Sequence, residues 1–75
     1  MIDRDSPMTF VEQIARELAR RIDEGIYTGR LPTEPELMFE SGCARSTVGK
    51  AVGRLVAAGI VVRSKRGTFV KKQEP

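Results

Sequence analysis

Apolar residues recur at spacings of three and four in two separate stretches of this chain, and that periodicity constrains its fold more than any other feature. In the first stretch Phe10, Val11, Ile14, Ala15, Leu18, Ala19 and Ile22 form one stripe, while Glu12, Arg16, Glu17, Arg20 and Arg21 fall mostly outside it. A stripe of this kind marks an amphipathic helix that buries one face. Ser6 followed by Pro7 reads as an N-cap with proline at the first helical position, and Gly25 supplies a stop. The helix expected from these signals covers residues 7–24. In the second stretch Val48, Ala51, Val52 and Leu55 share a narrow arc, with Ser46, Gly49, Lys50 and Gly53 projecting to the other side and Gly59 at the end.

Between the two lies a connector, Ile26 to Pro32, broken by Gly29 and Pro32. Thr33-Glu34-Pro35-Glu36 then has the spacing of a capping box, and Pro35 is tolerable in a first turn. Leu37, Met38 and Phe39 follow before Gly42 halts the segment, which leaves room for a helix of only about eight residues. So short a helix is stable only when neighbours pack it. Two helices joined by a glycine-containing turn form a helix-turn-helix, expected over residues 34–58. Ile60–Arg63 and Thr68–Lys71 are β-branched or aromatic runs around Ser64-Lys65-Arg66-Gly67, which predicts a terminal hairpin, or wing, over residues 60–71. Lys72-Gln73-Glu74-Pro75 reads as a polar tail. The expected fold is mainly α with a small β-hairpin (α+β), a three-helix winged helix-turn-helix in a single domain of residues 1–75.

A chain of 75 residues builds one core at most, burying only about 60% of its unfolded surface. With no Trp and only Phe10, Tyr27, Phe39 and Phe69 as aromatics, that core must be aliphatic. Cys43 is the single cysteine and there is no histidine, which removes an internal disulfide, zinc fingers, imidazole acid–base chemistry and Cys-His nucleophiles. The expectation is a binding protein and not an enzyme, with no metal, no cofactor and no small-molecule effector site, in a reducing cytoplasm. The longest apolar run, Leu55 to Val62, is far too short to span a membrane. The first residues lack the basic-then-apolar order of a signal peptide, so no membrane partner is expected.

Net charge is +3, but its distribution says more. Residues 1–40 carry five basic and nine acidic side chains, net −4, and residues 41–75 carry eight basic and one acidic, net +7. That asymmetry points the second half toward a polyanion, against the plainer reading of a solvated basic surface. Arg45, Ser46, Thr47, Lys50 and Arg54 surround the outward side of the third helix. Arginine pairs with guanine edges in the major groove, and lysine or arginine binds phosphate. The start of the second helix, at Thr33 and Glu34, would offer backbone N–H groups to a phosphate, and Lys65 with Arg66 makes the hairpin tip basic.

In this order the residues resemble the winged-helix domain of GntR-type bacterial transcription regulators. Leu31-Pro32-Thr33-Glu34 is similar to that family's Leu-Pro-Ser/Thr-Glu signature, and Ala44–Leu55 to its Ser-Arg-x-Thr-Val-Arg-x-Ala-x-x-x-Leu stretch. Ala58-Gly59-Ile60-Val61 and Gly67-Thr68-Phe69-Val70 resemble its Gly-Leu-Val and wing Gly-Thr-Phe-Val. The resemblance implies sequence-specific binding of double-stranded DNA and transcription regulation, most often repression. It carries DNA contact over to Arg45, Ser46 and Thr47, with the matched wing glycine Gly67 as a further candidate, whereas Lys50, Arg54, Lys65 and Arg66 rest on chemistry alone. The chain departs from the pattern at Pro35 and Gly49, where relatives usually carry basic residues, at Ala44, usually Ser or Thr, and at Lys65, commonly a glycine. Those departures keep a second reading open, a winged-helix protein-interaction module without specific DNA readout. Family members normally continue into an effector-binding domain that this sequence does not contain, so the chain reads as an excised domain or a stand-alone regulator. By itself it is expected to be a monomer, dimerising only on DNA or through such a domain.

Overall fold

A computed structural model describes residues 1–71; the polar tail expected at 72–75 lies outside them. The elements run α1 (Phe10–Asp23), α2 (Glu34–Ser41), α3 (Arg45–Ala57), β1 (Val61–Ser64) and β2 (Gly67–Val70). Helices α1 and α2 both pack on α3, Arg21 and Glu40 tie α1 to α2, and β1 leads from α3 into the hairpin. This is a winged helix-turn-helix. The buried core is aliphatic, as the composition requires: Ile14, Ala15 and Leu18 from α1, Leu31, Leu37 from α2, Val48, Ala51, Val52 and Leu55 from α3, and Val61 from β1. The stripe of the third helix is therefore buried at all four positions that the periodicity selects. Among the described residues no helix is long and apolar enough to cross a membrane.

The start of α1 differs from the expectation. Ser6 is not its cap: the Ser6 hydroxyl accepts the Met8 N–H at 3.1 Å in a turn, and the helix begins three residues past Pro7. Thr9 caps instead, its Oγ1 accepting the Glu12 N–H at 3.1 Å. The cause is Gln13, whose side-chain amide accepts the Asp3 N–H and donates to the Asp3 and Met8 carbonyls. Those bonds fold the first eight residues back onto the helix and bring Ile2 against the core. Thr9-Phe10-Val11-Glu12 has capping-box spacing, a signal overshadowed by the adjacent Ser-Pro.

The turn between α2 and α3 is stitched by Ser41, the buried polar residue of the core. Its hydroxyl donates to the Leu37 carbonyl at 2.7 Å and accepts the Cys43 N–H at 3.2 Å. Gly42 follows at φ +70°, a left-handed conformation that a side chain would strain. At the far end of α3, Ile60 N–H bonds Leu55 O and Gly59 N–H bonds Val56 O, which closes the helix and aims the chain into β1.

Both strands sit one residue off the expected registers. Val61 pairs with Val70 and Ser64 with Gly67, which makes Lys65-Arg66 a two-residue tip. Gly67 takes the positive φ, +129°, so neither tip residue needs one. The connector also does more than connect. Leu31 N–H bonds Thr68 O at 2.8 Å and Val70 N–H bonds Gly29 O at 2.7 Å, so Gly29–Leu31 lies along the outer edge of β2 and leaves that edge paired.

Candidate nucleic-acid interface

Helix α3 presents Arg45, Ser46 and Lys50 as exposed side chains and Thr47 half-buried, all within its first two turns. Its N-cap is Ala44, which makes no side-chain bond to the helix. The first amides of α3 therefore lack the oxygen that Thr9 and Thr33 give to α1 and α2. Arg54 is exposed too, but it sits in the last turn, about 13 Å along the axis from Arg45. A cation there is favoured by the helix dipole alone. The structure thus groups Arg45, Ser46, Thr47 and Lys50, and sets Arg54 apart.

At the start of α2 the capping box is complete. Glu36 N–H donates to Thr33 Oγ1 at 3.2 Å, and Thr33 N–H donates to Glu36 Oε1 at 2.9 Å. That backbone donor, with the Thr33 hydroxyl, holds the Glu36 carboxyl below the usual carboxylate range. The box claims two N–H groups and Pro35 has none, so the first turn offers an incoming phosphate the Glu34 N–H alone, beside a carboxylate. This narrows the donor set expected at Thr33 and Glu34.

The hairpin tip holds Lys65 and Arg66 as exposed side chains. The Ser64 hydroxyl braces it, accepting the Arg66 N–H and donating to Gly67 O. Gly67 has its own neighbour: a Cβ there would stand 3.0 Å from Arg30 Nε. The Arg30 guanidinium therefore lies over the wing glycine and occupies the space a side chain would take. Across a cleft of about 270 Å³ from Arg30, lined also by Thr33, Val52 and Thr68, stands Arg63. Its Nη2 donates to the Gly49 carbonyl at 2.9 Å and lies 3.6 Å from Glu34 Oε2.

Neither Arg30 nor Arg63 was among the sequence candidates. For Arg63 a signal existed. Strand side chains alternate faces, so a buried Val61 puts Arg63 on the helix side of β1. For Arg30 the signal was absent, because its place depends on the connector pairing with β2.

Two arginines of α1 are held in a carboxylate network. Arg20 binds Glu17 at 2.6 Å and Glu24 at 2.8 Å, and Arg21 binds Glu17, Glu40 and the Tyr27 hydroxyl. The two arginines pull the Glu17 carboxyl down to about 2, Arg20 most, and Arg21 lowers Glu40. Among the described residues Arg45, Lys50, Arg54, Lys65 and Arg66 have no carboxylate within ion-pair distance. Arg4, Arg16, Arg30 and Lys71 are likewise unpaired there, but the cations of α3 and the wing tip stand in a stretch of chain, residues 41–71, that has no acidic residue.

Comparison with known proteins agrees with this geometry. The sequence profile described as bacterial regulatory proteins, gntR family, matches residues 10–70. The histidine utilization repressor of Klebsiella aerogenes is 33% identical over 70 residues, covering 89% of this chain and 29% of that protein. The HTH-type transcriptional repressor NagR of Bacillus subtilis is 38% identical over 74 residues, covering 95% of this chain and 30% of that protein. The chain thus spans under a third of the length of these relatives. Among solved structures, YtrA of Sulfolobus acidocaldarius, a GntR-family transcription factor, superimposes with a TM-score of 0.90 at 33% identity, over 99% of this chain and 81% of that one. The DNA-binding domain of AraR in complex with operator ORR3 gives a TM-score of 0.83 at 31% identity, over 95% and 89%. With its three helices, its wing and the matched residues 10–70, this chain belongs to the gntR family of bacterial regulatory proteins.

Proposed function

We propose that the chain binds double-stranded DNA as the DNA-reading part of a cytoplasmic transcription regulator, acting as a repressor by occupying an operator. The N-terminal half of α3 enters the major groove, and the Lys65-Arg66 tip lies along the backbone or minor groove. One observation carries this reading: residues 41–71, which build α3 and the wing, hold seven basic and no acidic side chains, and five of the seven, Arg45, Lys50, Arg54, Lys65 and Arg66, stand exposed on α3 and the wing tip without a carboxylate among the described residues. The operator complex of the similar AraR domain supports it. Arg45, Ser46, Thr47 and Lys50 are the candidate readers; Lys65, Arg66 and Arg54 are candidate phosphate contacts, and Thr33, Glu34 and Gly67 are candidates at the groove edge.

The test is selection of bound sequences from random duplex DNA, followed by titration at several salt concentrations. An enriched motif of about five or more base pairs and a log–log salt slope of about −4 to −5, from some four to six neutralised phosphates, are expected. A second reading, a protein-interaction module, rests on Phe39, which is 92% exposed on α2 beside Pro32 and Pro35. No enriched motif, with a slope near zero, would favour it.

A further inference from the structure

Among the described residues, Arg63 is the one basic side chain of the second half that the protein itself holds in place. Its Nη2 faces two acceptors on two different helices, the Gly49 carbonyl of α3 and the Glu34 carboxylate of α2. A guanidinium has five N–H donors in a rigid fork. Among the described residues Nε and Nη1 have no partner, and the side chain is still 47% exposed. It is therefore oriented but not used up. The place it reaches is the middle of α3, level with Gly49, one turn from Arg45. Gly49 adds no side chain there, and its Cβ position would have only Glu34 Oε2 within 4 Å, at 3.9 Å. The guanidinium lies against the Gly49 carbonyl, more than 4 Å from that Cβ position.

We infer that Arg63 is a specificity-determining residue, a base-edge reader that β1 lends to the recognition helix beside Gly49, with Glu34 as its positioning residue. The inference rests on the DNA-binding reading above. Electrostatics favour a base edge over a phosphate. Glu34 offsets much of the charge of Arg63, which weakens attraction to phosphates in general, while the directed N–H donors keep their strength toward neutral acceptors such as guanine O6 and N7. Lys65 and Arg66, at an exposed tip with no carboxylate among the described residues, have the opposite character and suit phosphates.

Three variants of the chain, titrated against the selected duplex and against random duplex at several salt concentrations, test this. Arg63→Ala is expected to weaken binding to the selected duplex about ten-fold or more and to relax one base position, while leaving random duplex within about two-fold and the salt slope unchanged. Arg63→Lys is expected to resemble Arg63→Ala, because a point charge cannot replace a fork. Glu34→Gln keeps the bond to Gly49 O and removes the offsetting charge, so binding to random duplex should tighten and the salt slope steepen by up to about 1. Equal weakening on both duplexes with a slope shallower by about 1 would make Arg63 a phosphate contact and overturn the inference. A lowered melting temperature with both affinities unchanged would make it a structural latch, which also overturns it. If the unaltered chain itself enriches no sequence and binds no duplex, the DNA-binding reading fails and this inference with it.

Discussion

Helices α1 and α3 pack against each other and have almost the same length, 14 and 13 residues, yet they treat their polar groups in opposite ways. Helix α1 satisfies most of its polar groups within the protein, Arg16 being its one cation without a carboxylate among the described residues. Thr9 caps it, and Arg20 and Arg21 in its last turn are tied to Glu17, Glu24 and Glu40. It contains no glycine. Helix α3 starts at an uncapped Ala44, contains Gly49 and Gly53, and leaves Arg45, Lys50 and Arg54 without carboxylates among the described residues. A missing cap costs about 1 kcal/mol and each helical glycine about as much relative to alanine. The core face of α3 is fully buried, so the difference is confined to its outer side. One helix is finished by the protein, and the other is left for a ligand to finish.

The sharpest way to break this comparison is to remove one arginine from each helix. Arg45→Ala is expected to cost about 1–3 kcal/mol on the best DNA site and to relax one base position. Arg20→Ala removes a charge of the same sign that is already tied to Glu17 and Glu24. It should leave DNA affinity unchanged within about two-fold. Anisotropy titrations of both variants on one duplex measure the contrast. If Arg20→Ala weakens binding as much as Arg45→Ala, pairing does not distinguish the helices and net charge alone governs binding.

The parts of this contrast that sequence reasoning reached are those set by short-range rules. The stripe Val48, Ala51, Val52 and Leu55, the capping box at Thr33 and Glu36, and the stop at Gly42 each depend on residues within one or two turns, and the structure has all of them. The candidate site was legible to the same depth: Arg45, Ser46 and Lys50 are exposed because their neighbours on the helix are buried. What escaped depends on contacts distant in sequence. Gln13 moves the start of α1 by bonding Asp3, ten residues away. Arg63 belongs to the site because its bond crosses from β1 to Gly49, fourteen residues back. Arg30 reaches Gly67 only because the connector pairs with β2. No periodicity encodes such pairings; they arise when the hairpin docks.

Smaller effects should follow from making α3 resemble α1. Ala44→Ser supplies the missing cap and Gly53→Ala replaces a glycine whose Cβ position is open. Each is expected to stabilise the fold by about 0.5–1 kcal/mol, read as a rise in melting temperature of a few degrees. The two should part on DNA. Gly53→Ala tests whether the helix backbone approaches the groove wall closely: close approach predicts weaker binding by the stabilised variant, and a merely tolerated glycine predicts no change. Ala44→Ser puts its hydroxyl on an amide that is otherwise uncapped, so weaker binding there would show that DNA uses that amide. If neither variant gains stability, α3 already satisfies its first turn in some other way, and the contrast with α1 is smaller than the cap and glycine pattern implies.

The smallest expected effect concerns α1 itself and is read through pH. The Glu17 carboxyl titrates at about 2 in the folded chain against 4.5 as an ordinary glutamate, chiefly because Arg20 and then Arg21 donate to it. A lowered folded value means that the unfolded chain binds the proton first as pH falls. The stability from this group is therefore complete above about 4.5, declines through the interval below it, and is gone by about 2. Glu17→Gln removes the charge at every pH. The variant should melt slightly lower than the unaltered chain at pH 7, by an amount corresponding to about 0.5 kcal/mol for a screened surface network. The difference should shrink to nothing as pH falls from 4.5 toward 2. Glu40, lowered chiefly by Arg21 and raised slightly by Glu17, adds a second carboxylate of the same sign and makes the acid limb steeper in both chains. DNA affinity at pH 7 should not change, since Glu17 lies on the self-paired helix. A melting difference that persists unchanged to pH 2, measured by circular dichroism, would show that Glu17 acts through packing and not through its charge. In that case the arginines of α1 are not held by pairing, and only the cap and the glycines would separate the two helices.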